Sequence, residues 1–364
     1  MPHRKTMASD PAPARITLTD VARHAGVSRA TVSLVLRDSP LVAAETRARV
    51  QASAKAVGYL YNRGAATLRG SGTKTIGLLV TEIDNPFFAE LTAGVSAALD
   101  ASDYIAFLAT TEESLERQDR TIQRLREHGV DGLILCPAVT TGAERIARLA
   151  EQGLPVVQVM RCVPGSGGDF TGPANALGLD HLTEHLVRLG HRRFAFAGAA
   201  VMHSGIRERL AGVKAALRRH DLPPPLILRT PAARQGGLEA ARLLARAQPR
   251  PTALICCNDV VAFGAMAGLE RAGLVVGRDV AVTGVGDVPE ASSCRPPLTT
   301  LSTGARQIGG EAARLVLRRI ADRGAPSERV IMPAQLVIRA SCGSGAEGAA
   351  PAGADPERVG TDGG

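Results

Sequence analysis

Three short patterns in this chain carry the residue types of catalytic or cofactor sites. His181-Leu182-Thr183-Glu184-His185 sets two imidazoles four residues apart on one helical face with a carboxylate between them. That is the spacing of an inverted zinc-peptidase motif, but no downstream acidic ligand motif accompanies it. Ser71-Gly72-Thr73-Lys74-Thr75 lacks the first glycine of a phosphate-binding loop, and Gly284-Val285-Gly286-Asp287 is not followed by the third glycine of a dinucleotide fingerprint. The cysteines Cys136, Cys162, Cys256, Cys257, Cys294 and Cys342 show neither C-x-x-C pairs nor a Cys/His ligand spacing, so neither a disulfide scaffold nor structural zinc is expected. With no nucleophile–base pair evident, the expectation is a protein that is not an enzyme and takes no metal or cofactor.

Charge points elsewhere. The formal net charge is +8, and residues 1–73 hold eleven Lys/Arg against four Asp/Glu, while the rest of the chain holds 32 against 31. A local positive field of this kind attracts a polyanion, and phosphate neutralisation is the main sequence-independent term in DNA binding. A solvated basic face would give the same count. No apolar run reaches the ~18 residues of a membrane span, and the basic, Pro/Ala-rich start lacks the apolar segment of a signal peptide. A cytoplasmic, nucleoid-associated protein is expected.

The elements of this basic region can be read one residue at a time. Thr19 suits a helix N-cap, with Asp20 in the first turn at the positive end of the helix dipole. Val21, Ala22 and Ala25 share one face; Gly26 supplies a tight turn, and Ser28 caps a second helix. In that helix Val32, Val35 and Leu36 face inward, while Ala30, Ser33, Leu34 and Arg37 fall on the opposite face. A third helix is expected from about Ala43 to Val57, with Val50, Ala54 and Val57 inward. Two short helices around a glycine turn fit a helix-turn-helix whose second helix enters the major groove N-terminus first. Leu34 has two readings, packing on the third helix or contact with a thymine methyl.

From Thr75 onward, apolar strands alternate with amphipathic helices. Thr75–Val80, Tyr104–Ala109, Gly132–Cys136 and Val156–Val159 form one series of buried strands. Arg193–Ala197, Leu226–Leu228, Ala253–Cys256 and Val280–Val285 form a second. The expected fold class is α/β: a small all-α helix-turn-helix domain followed by two lobes with doubly wound parallel sheets and a ligand crevice at the strands' carboxyl ends.

The block Asp20-Val21-Ala22, Gly26-Val27-Ser28, Thr31-Val32-Ser33, then Val42, Glu45-Thr46-Arg47, Val50 and Gly58-Tyr59, closely resembles the LacI/GalR family of repressors. The resemblance continues through Asp84-Asn85-Pro86-Phe87-Phe88, Leu189-Gly190-His191-Arg192-Arg193, Arg209-Leu210-Ala211-Gly212, Asn258-Asp259 and Pro297-Leu298-Thr299-Thr300 to about Cys342. It implies a sensor similar to periplasmic sugar-binding proteins, with three chain crossings between the lobes. It places Arg29, Ala30 and Leu34 at base-reading positions and Thr17, Ser28, Thr31 and Ser33 at phosphate contacts. It implies a hinge helix over residues 62–69, including Asn62, Ala65 and a minor-groove wedge at Leu68. A plain linker is the other reading of that stretch. Phe87, Phe88, His203, Arg209, Asn258 and Asp287 are implied as effector contacts, although Asn258 also suits a helix cap and Arg209 a surface ion pair. Ala174-Asn175 departs from the family's usual Asp-Asn and removes an acceptor.

The expected organisation is a disordered basic arm (1–14), the helix-turn-helix (15–60), the hinge (61–73), a sensor and dimerisation domain (74–342) and a disordered tail (343–364). Within the sensor, the N-lobe takes about 74–173 plus 303–333 and the C-lobe about 174–302 plus 334–342. The implied partners are pseudopalindromic double-stranded operator DNA, a small-molecule effector of sugar type, and a second copy in a homodimer. The direction of the effector's influence, and dimer against tetramer, stay open at this level.

Overall fold

The computed structural model describes residues 16–36, 39–59 and 72–344, and the chain divides between Ser71 and Gly72 into two compact units. Asn62, Ala65 and Leu68 lie outside the described residues, as do the basic arm, most of the hinge and nearly all of the tail.

The first unit contains α1 (Leu18–Ala25), α2 (Arg29–Val35) and α3 (Ala44–Ala56). Its N-cap corrects the sequence expectation: Thr17, not Thr19, precedes the first turn. The Asp20 carboxylate reaches back to accept from the Thr17 N–H at 2.9 Å and from its hydroxyl at 2.7 Å, so the helix starts two residues earlier. Gly26, at φ +66°, ends α1 in the left-handed region that a turn of this kind requires. Ser28 Oγ accepts from the Thr31 N–H at 3.0 Å and starts α2. Val21, Val32, Val35 and Val50 are buried where the three helices meet.

The second unit has two six-stranded sheets. In the N-lobe, β1 (Thr75–Val80), α4 (Pro86–Asp100), β2 (Ile105–Thr110), α5 (Leu115–Glu127), β3 (Gly132–Leu135), α6 (Ala143–Glu151), β4 (Val156–Val159) and β5 (Asp169–Pro173) alternate along the chain. The C-lobe follows with α7 (Asn175–Arg188), β6 (Phe194–Ala197), α8 (Ser204–Arg219), β7 (Leu226–Leu228), α9 (Arg234–Arg246), β8 (Ala253–Cys256), α10 (Asp259–Arg271), β9 (Ala281–Gly286), α11 (Glu290–Ser293) and β10 (Thr299–Ser302). The chain then returns to the N-lobe for α12 (Ala305–Ala321) and β11 (Arg329–Met332), and ends in the C-lobe with β12 (Gln335–Val337).

The N-lobe sheet runs β11-β5-β4-β3-β1-β2, parallel throughout. The C-lobe sheet runs β12-β10-β9-β8-β6-β7, parallel except for the antiparallel edge strand β12. Strands β5 and β10 escape a hydrophobicity reading because they are rich in Thr, Gly or Pro, and β11 and β12 because they are only four and three residues long. Strand β2 differs from its expected burial: as the end strand of its sheet it leaves Ile105, Phe107 and Leu108 between 42% and 55% exposed.

One helix contact ties the N-lobe to the returning chain. Helices α4 and α12 cross with Gly94 and Gly309 at the contact, where an added Cβ would stand 2.1 Å from the carbonyl oxygens of Arg306 and Leu91 respectively. The backbones touch with no room for a methyl group. In an unpacked helix Gly→Ala would stabilise by about 1 kcal/mol. Here Gly309→Ala is expected to destabilise the sensor by roughly 1–3 kcal/mol, the cost of overpacking. Thermal unfolding of the variant checks this, and a raised melting temperature would contradict the packing account.

Candidate functional site

The first candidate site is the outer face of α2. Ser28, Arg29 and Ala30 are exposed at its N-terminus, and Thr31, Ser33 and Leu34 are half-buried on the following turn. Leu34 stands outside the buried cluster formed by Val21, Val32 and Val50. The Ser28 and Thr31 hydroxyls lie 2.9 Å apart, so each preorients the other. Thr17 is exposed, but its hydroxyl proton is committed to Asp20; a phosphate contact there requires that bond to exchange. Arg47 of α3 donates to the Ser39 carbonyl at 2.6 Å and fixes the turn that follows α2.

The second candidate is a crevice of ≈ 370 Å³ between the two lobes of the sensor. It forms where the carboxyl ends of the parallel strands face one another, the usual ligand position in α/β sheets. From the N-lobe come Glu82, Asn85 and Phe87 after β1, Glu113 after β2, and Arg161 after β4. The C-lobe contributes His203 after β6, Ala232 after β7, Cys257 and Asn258 after β8, and Gly286 at the end of β9. Thr303 lines it at the crossing after β10. Across the lips, the Cys162 N–H donates to Ser204 Oγ at 3.1 Å, and Phe87 packs near Gly286.

Of the six residues expected to contact an effector, five line this crevice. Phe87 and Phe88 are buried and meet edge to face, ring centroids 5.7 Å apart. Asn258 caps α10, accepting from the Val261 N–H at 2.8 Å and donating to the Ala232 carbonyl at 3.1 Å. It therefore fills its helix-cap reading while still lining the wall. Arg209 is not the surface ion pair that its position on α8 also allowed. Its Nε donates to Asn175 Oδ1 at 2.9 Å and its Nη1 to the Cys257 carbonyl at 2.5 Å. Asn175 in turn donates to Glu208 at 2.9 Å, so beside Ala174 this side chain works as a bridge inside the C-lobe.

Asp287 is the exception. It sits at φ +56° just beyond β9, its carboxylate accepts from Arg339 at 2.8 Å, and Gly286 lines the crevice in its place. The reason is local: β9 ends at Gly286, and the positive φ at both residues turns the carboxylate toward Arg339. The sequence reading also missed Glu82, Glu113, Arg161 and Thr303. Arg161 is held by both oxygens of Glu113, at 2.8 and 3.0 Å. The detectable signal was position, since each follows the end of a strand by one to three residues.

The crevice is electrostatically unusual for a site of acid–base chemistry. Burial, reinforced by Arg161, Arg209 and Arg207, pulls the His203 imidazole down to about 2, so it stays neutral and its Nδ1 accepts from the Ile206 N–H. Burial pushes the Cys136 thiol up to about 11 and Cys257 to about 12, which suppresses both as nucleophiles. Burial raises Glu82 and lowers Arg209 from their ordinary values.

The inverted zinc pattern is dispersed. Glu184 faces Arg219 and His220, His185 Nε2 lies 3.5 Å from Cys342 Sγ, and His181 is exposed. Among the described residues no group of three or more His, Cys, Asp or Glu is arranged to hold a metal ion, and no helix is long and apolar enough to cross a membrane.

A capped helix-turn-helix and a two-lobed domain with a crevice between its lobes define a class of proteins that join a DNA-reading module to a ligand-binding one. Residues 17–62 match the family model described as bacterial regulatory proteins, lacI family, and residues 183–342 match a periplasmic binding protein-like domain. The maltose regulon regulatory protein MalI of Escherichia coli K12 is 32% identical over 334 residues, spanning 89% of this chain and 98% of its own length. The ribose operon repressor of the same strain is 33% identical over 328 residues, covering 89% and 99%. Among solved structures, a complex of the transcriptional regulator CelR with cellobiose matches at 30% identity and TM-score 0.66 over 90% of this chain and all of that one. The lac repressor dimer bound to operator and the anti-inducer ONPF matches at 26% identity and TM-score 0.79, over 90% and 99%. The chain belongs to the lacI family of bacterial regulatory proteins.

Beside the crevice, Asp259 gives the structure a measurable pH signature. Its buried carboxylate accepts from the Thr300 hydroxyl at 2.5 Å and the Val288 N–H at 2.9 Å, and burial raises it to about 6. The folded value lies above the unfolded one, so the protonated form favours folding. That contribution is complete below about pH 4 and lost as pH rises through about 6, a difference of roughly 2–3 kcal/mol. Asp259→Asn can accept from Val288 and donate to Thr300. It is expected to keep the fold and to remove this part of the pH dependence between pH 4 and 7. Paired denaturation curves of wild type and variant check it; parallel profiles would refute the assignment.

Proposed function

We propose that this protein is a cytoplasmic, nucleoid-associated repressor whose affinity for a pseudopalindromic operator is set by a small metabolite bound between the lobes of its sensor. The observation that carries the reading is the outer face of α2, with Ser28, Arg29 and Ala30 exposed at its N-terminus and its apolar side buried against α1 and α3. A helix presented this way enters a major groove N-terminus first. In this reading Arg29, Ala30 and Leu34 meet base edges, and Thr17, Ser28, Thr31 and Ser33 meet phosphates. Asn62, Ala65 and the Leu68 wedge would complete the contact through the minor groove.

The crevice supports the other half. Its histidine and thiols are held in neutral, unreactive forms, which suits binding rather than turnover. Relatives give the chemistry: two are regulators named for maltose and ribose systems, and CelR was solved with cellobiose. Ligand in the crevice acts by differential affinity for two lobe arrangements, which shifts their populations. The apolar edge of β2, with Ile105, Phe107 and Leu108 exposed, provides a surface for a second copy; the lac repressor was solved as a dimer. Two copies then place two α2 helices on the two half-sites.

Selection of binding sites from a random DNA pool, followed by mobility shift, tests the DNA half. Arg29→Ala is expected to lower affinity for the selected site by about 1–3 kcal/mol and leave non-specific binding nearly unchanged. Equal loss on both DNAs would assign Arg29 to phosphate instead. Leu108→Asp is expected to yield monomers in sedimentation and to weaken operator binding at least tenfold. A variant that remained dimeric would move the interface off β2.

A further inference from the structure

We infer that α2 reads its half-site through the C5-methyl groups of thymine, which Ala30 and Leu34 meet as an apolar pair on the floor of the major groove. The inference rests on the reading of this face as the one that enters DNA, and it deepens that reading from a set of contact residues to a base chemistry. The first support is which side of the helix is buried. Val32 and Val35 are packed with Val21 and Val50. Ala30 and Leu34 stand one turn apart on the other side, Ala30 exposed and Leu34 half-buried. Leu34 belongs neither to the buried cluster of the first unit nor to the side chains packed against it, whereas Leu36, two positions on, does. A lone apolar residue on a surface needs no explanation. Here two share one stripe of a seven-residue helix, in a region with eleven Lys/Arg against four Asp/Glu. That charge draws in a polyanion, and the stripe then faces the bases.

The second support is elimination. Alanine and leucine side chains neither donate nor accept a hydrogen bond. The major-groove edges of guanine, adenine and cytosine present N–H donors and N or O acceptors, and thymine alone adds a methyl group. An apolar side chain set against a purine edge shuts water away from those groups and returns no hydrogen bond, which costs binding. Set against thymine, it buries methyl on methyl. The same two residues therefore attract thymine and reject the purines.

The third is reach. Four residues advance an α-helix by about 6 Å, and successive bases on a strand lie about 3.4 Å apart. Ala30 and Leu34 thus face positions no more than about two steps apart. Their polar neighbours do not compete for those positions. The Ser28 and Thr31 hydroxyls are engaged with each other at 2.9 Å. Arg29 is exposed, with no ion pair or hydrogen bond among the described residues, and its guanidinium stays free for a guanine beside the thymines. A half-site of this composition is a guanine next to closely spaced thymines.

The full-length protein first selects its site from a random DNA pool. The selected duplex is then resynthesised with each thymine in turn replaced by deoxyuridine, which removes the methyl and keeps the rest of the base edge. Binding is followed by fluorescence anisotropy at one salt concentration. One or two thymines per half-site, close together, are expected to be sensitive, each lost methyl contact weakening binding about fourfold. Replacing the symmetry-related thymines in both half-sites is expected to weaken it about tenfold or more, since distant contacts add. Leu34→Ala is expected to erase most of the penalty at one of these thymines, which separates a lost contact from a change in DNA stiffness. The inference is overturned if the half-sites hold no thymine, if no replacement weakens binding, if the sensitive thymines lie far apart, or if Leu34→Ala folds and keeps every penalty. Should Leu34→Ala fail to fold, the wild-type scan decides alone. A selected site indifferent to deoxyuridine would sink this inference and leave the proposed function standing. Failure to select any site would sink both.

Discussion

Much of the C-lobe wall of the crevice depends on one half-buried guanidinium. Arg209 projects from α8, takes the carbonyl at the end of β8 and the side chain at the start of α7, and thereby pins three elements of the C-lobe around the crevice. Removing such a group would leave a buried carbonyl and a buried amide oxygen without donors, and unmet polar groups in a low-dielectric interior cost about 1–3 kcal/mol each. The same desolvation that makes the clamp valuable to the fold sharpens its pull on a ligand, because charge interacts more strongly where water is excluded.

The rest of the wall follows from topology. Parallel strands deliver their carboxyl ends, and the helices after them deliver their N-termini, to a single edge of each sheet. Two lobes joined by three crossings then set those edges face to face. Polar groups there are held largely by backbone: Asn258 by Val261 and Ala232, His203 by Ile206, Arg209 by Cys257. A site built on main-chain contacts is preorganised, so little ordering remains to be done when a ligand enters.

How much of this could be read from residues alone depended on the kind of signal. The three helices of the first unit were legible because capping and turn chemistry are local; the error was to start α1 at Thr19, since the reach of Asp20 back to Thr17 depends on which of two threonines the helix adopts. The eight apolar strands were legible from hydrophobic runs. Strands such as Asp169–Pro173 and Gln335–Val337 were not, because their places are set by neighbours already in the sheet. In the crevice, Arg209, Asn258 and His203 came through resemblance. Asp287 turns toward Arg339, a direction after a positive-φ turn that is not written in its identity, and Arg161 and Glu113 pair across 48 positions with no local pattern to announce it.

The hydrogen bond from the Cys162 amide to the Ser204 hydroxyl gives the crevice a particular mechanics. Each jaw is tightly packed: backbone lies against backbone where α4 crosses α12 in the N-lobe and where α9 crosses α10 in the C-lobe, and no methyl group of slack exists at either contact to absorb a deformation. The catch between the jaws is a neutral hydrogen bond, contributing about 0.5–1.5 kcal/mol, only one to three times RT. Beyond that catch, the Phe87–Gly286 contact and the three chain crossings are what hold the jaws together. A ligand that touches both jaws adds its own contacts to this small set, and its hold on the crevice is then largely its hold on the closed arrangement.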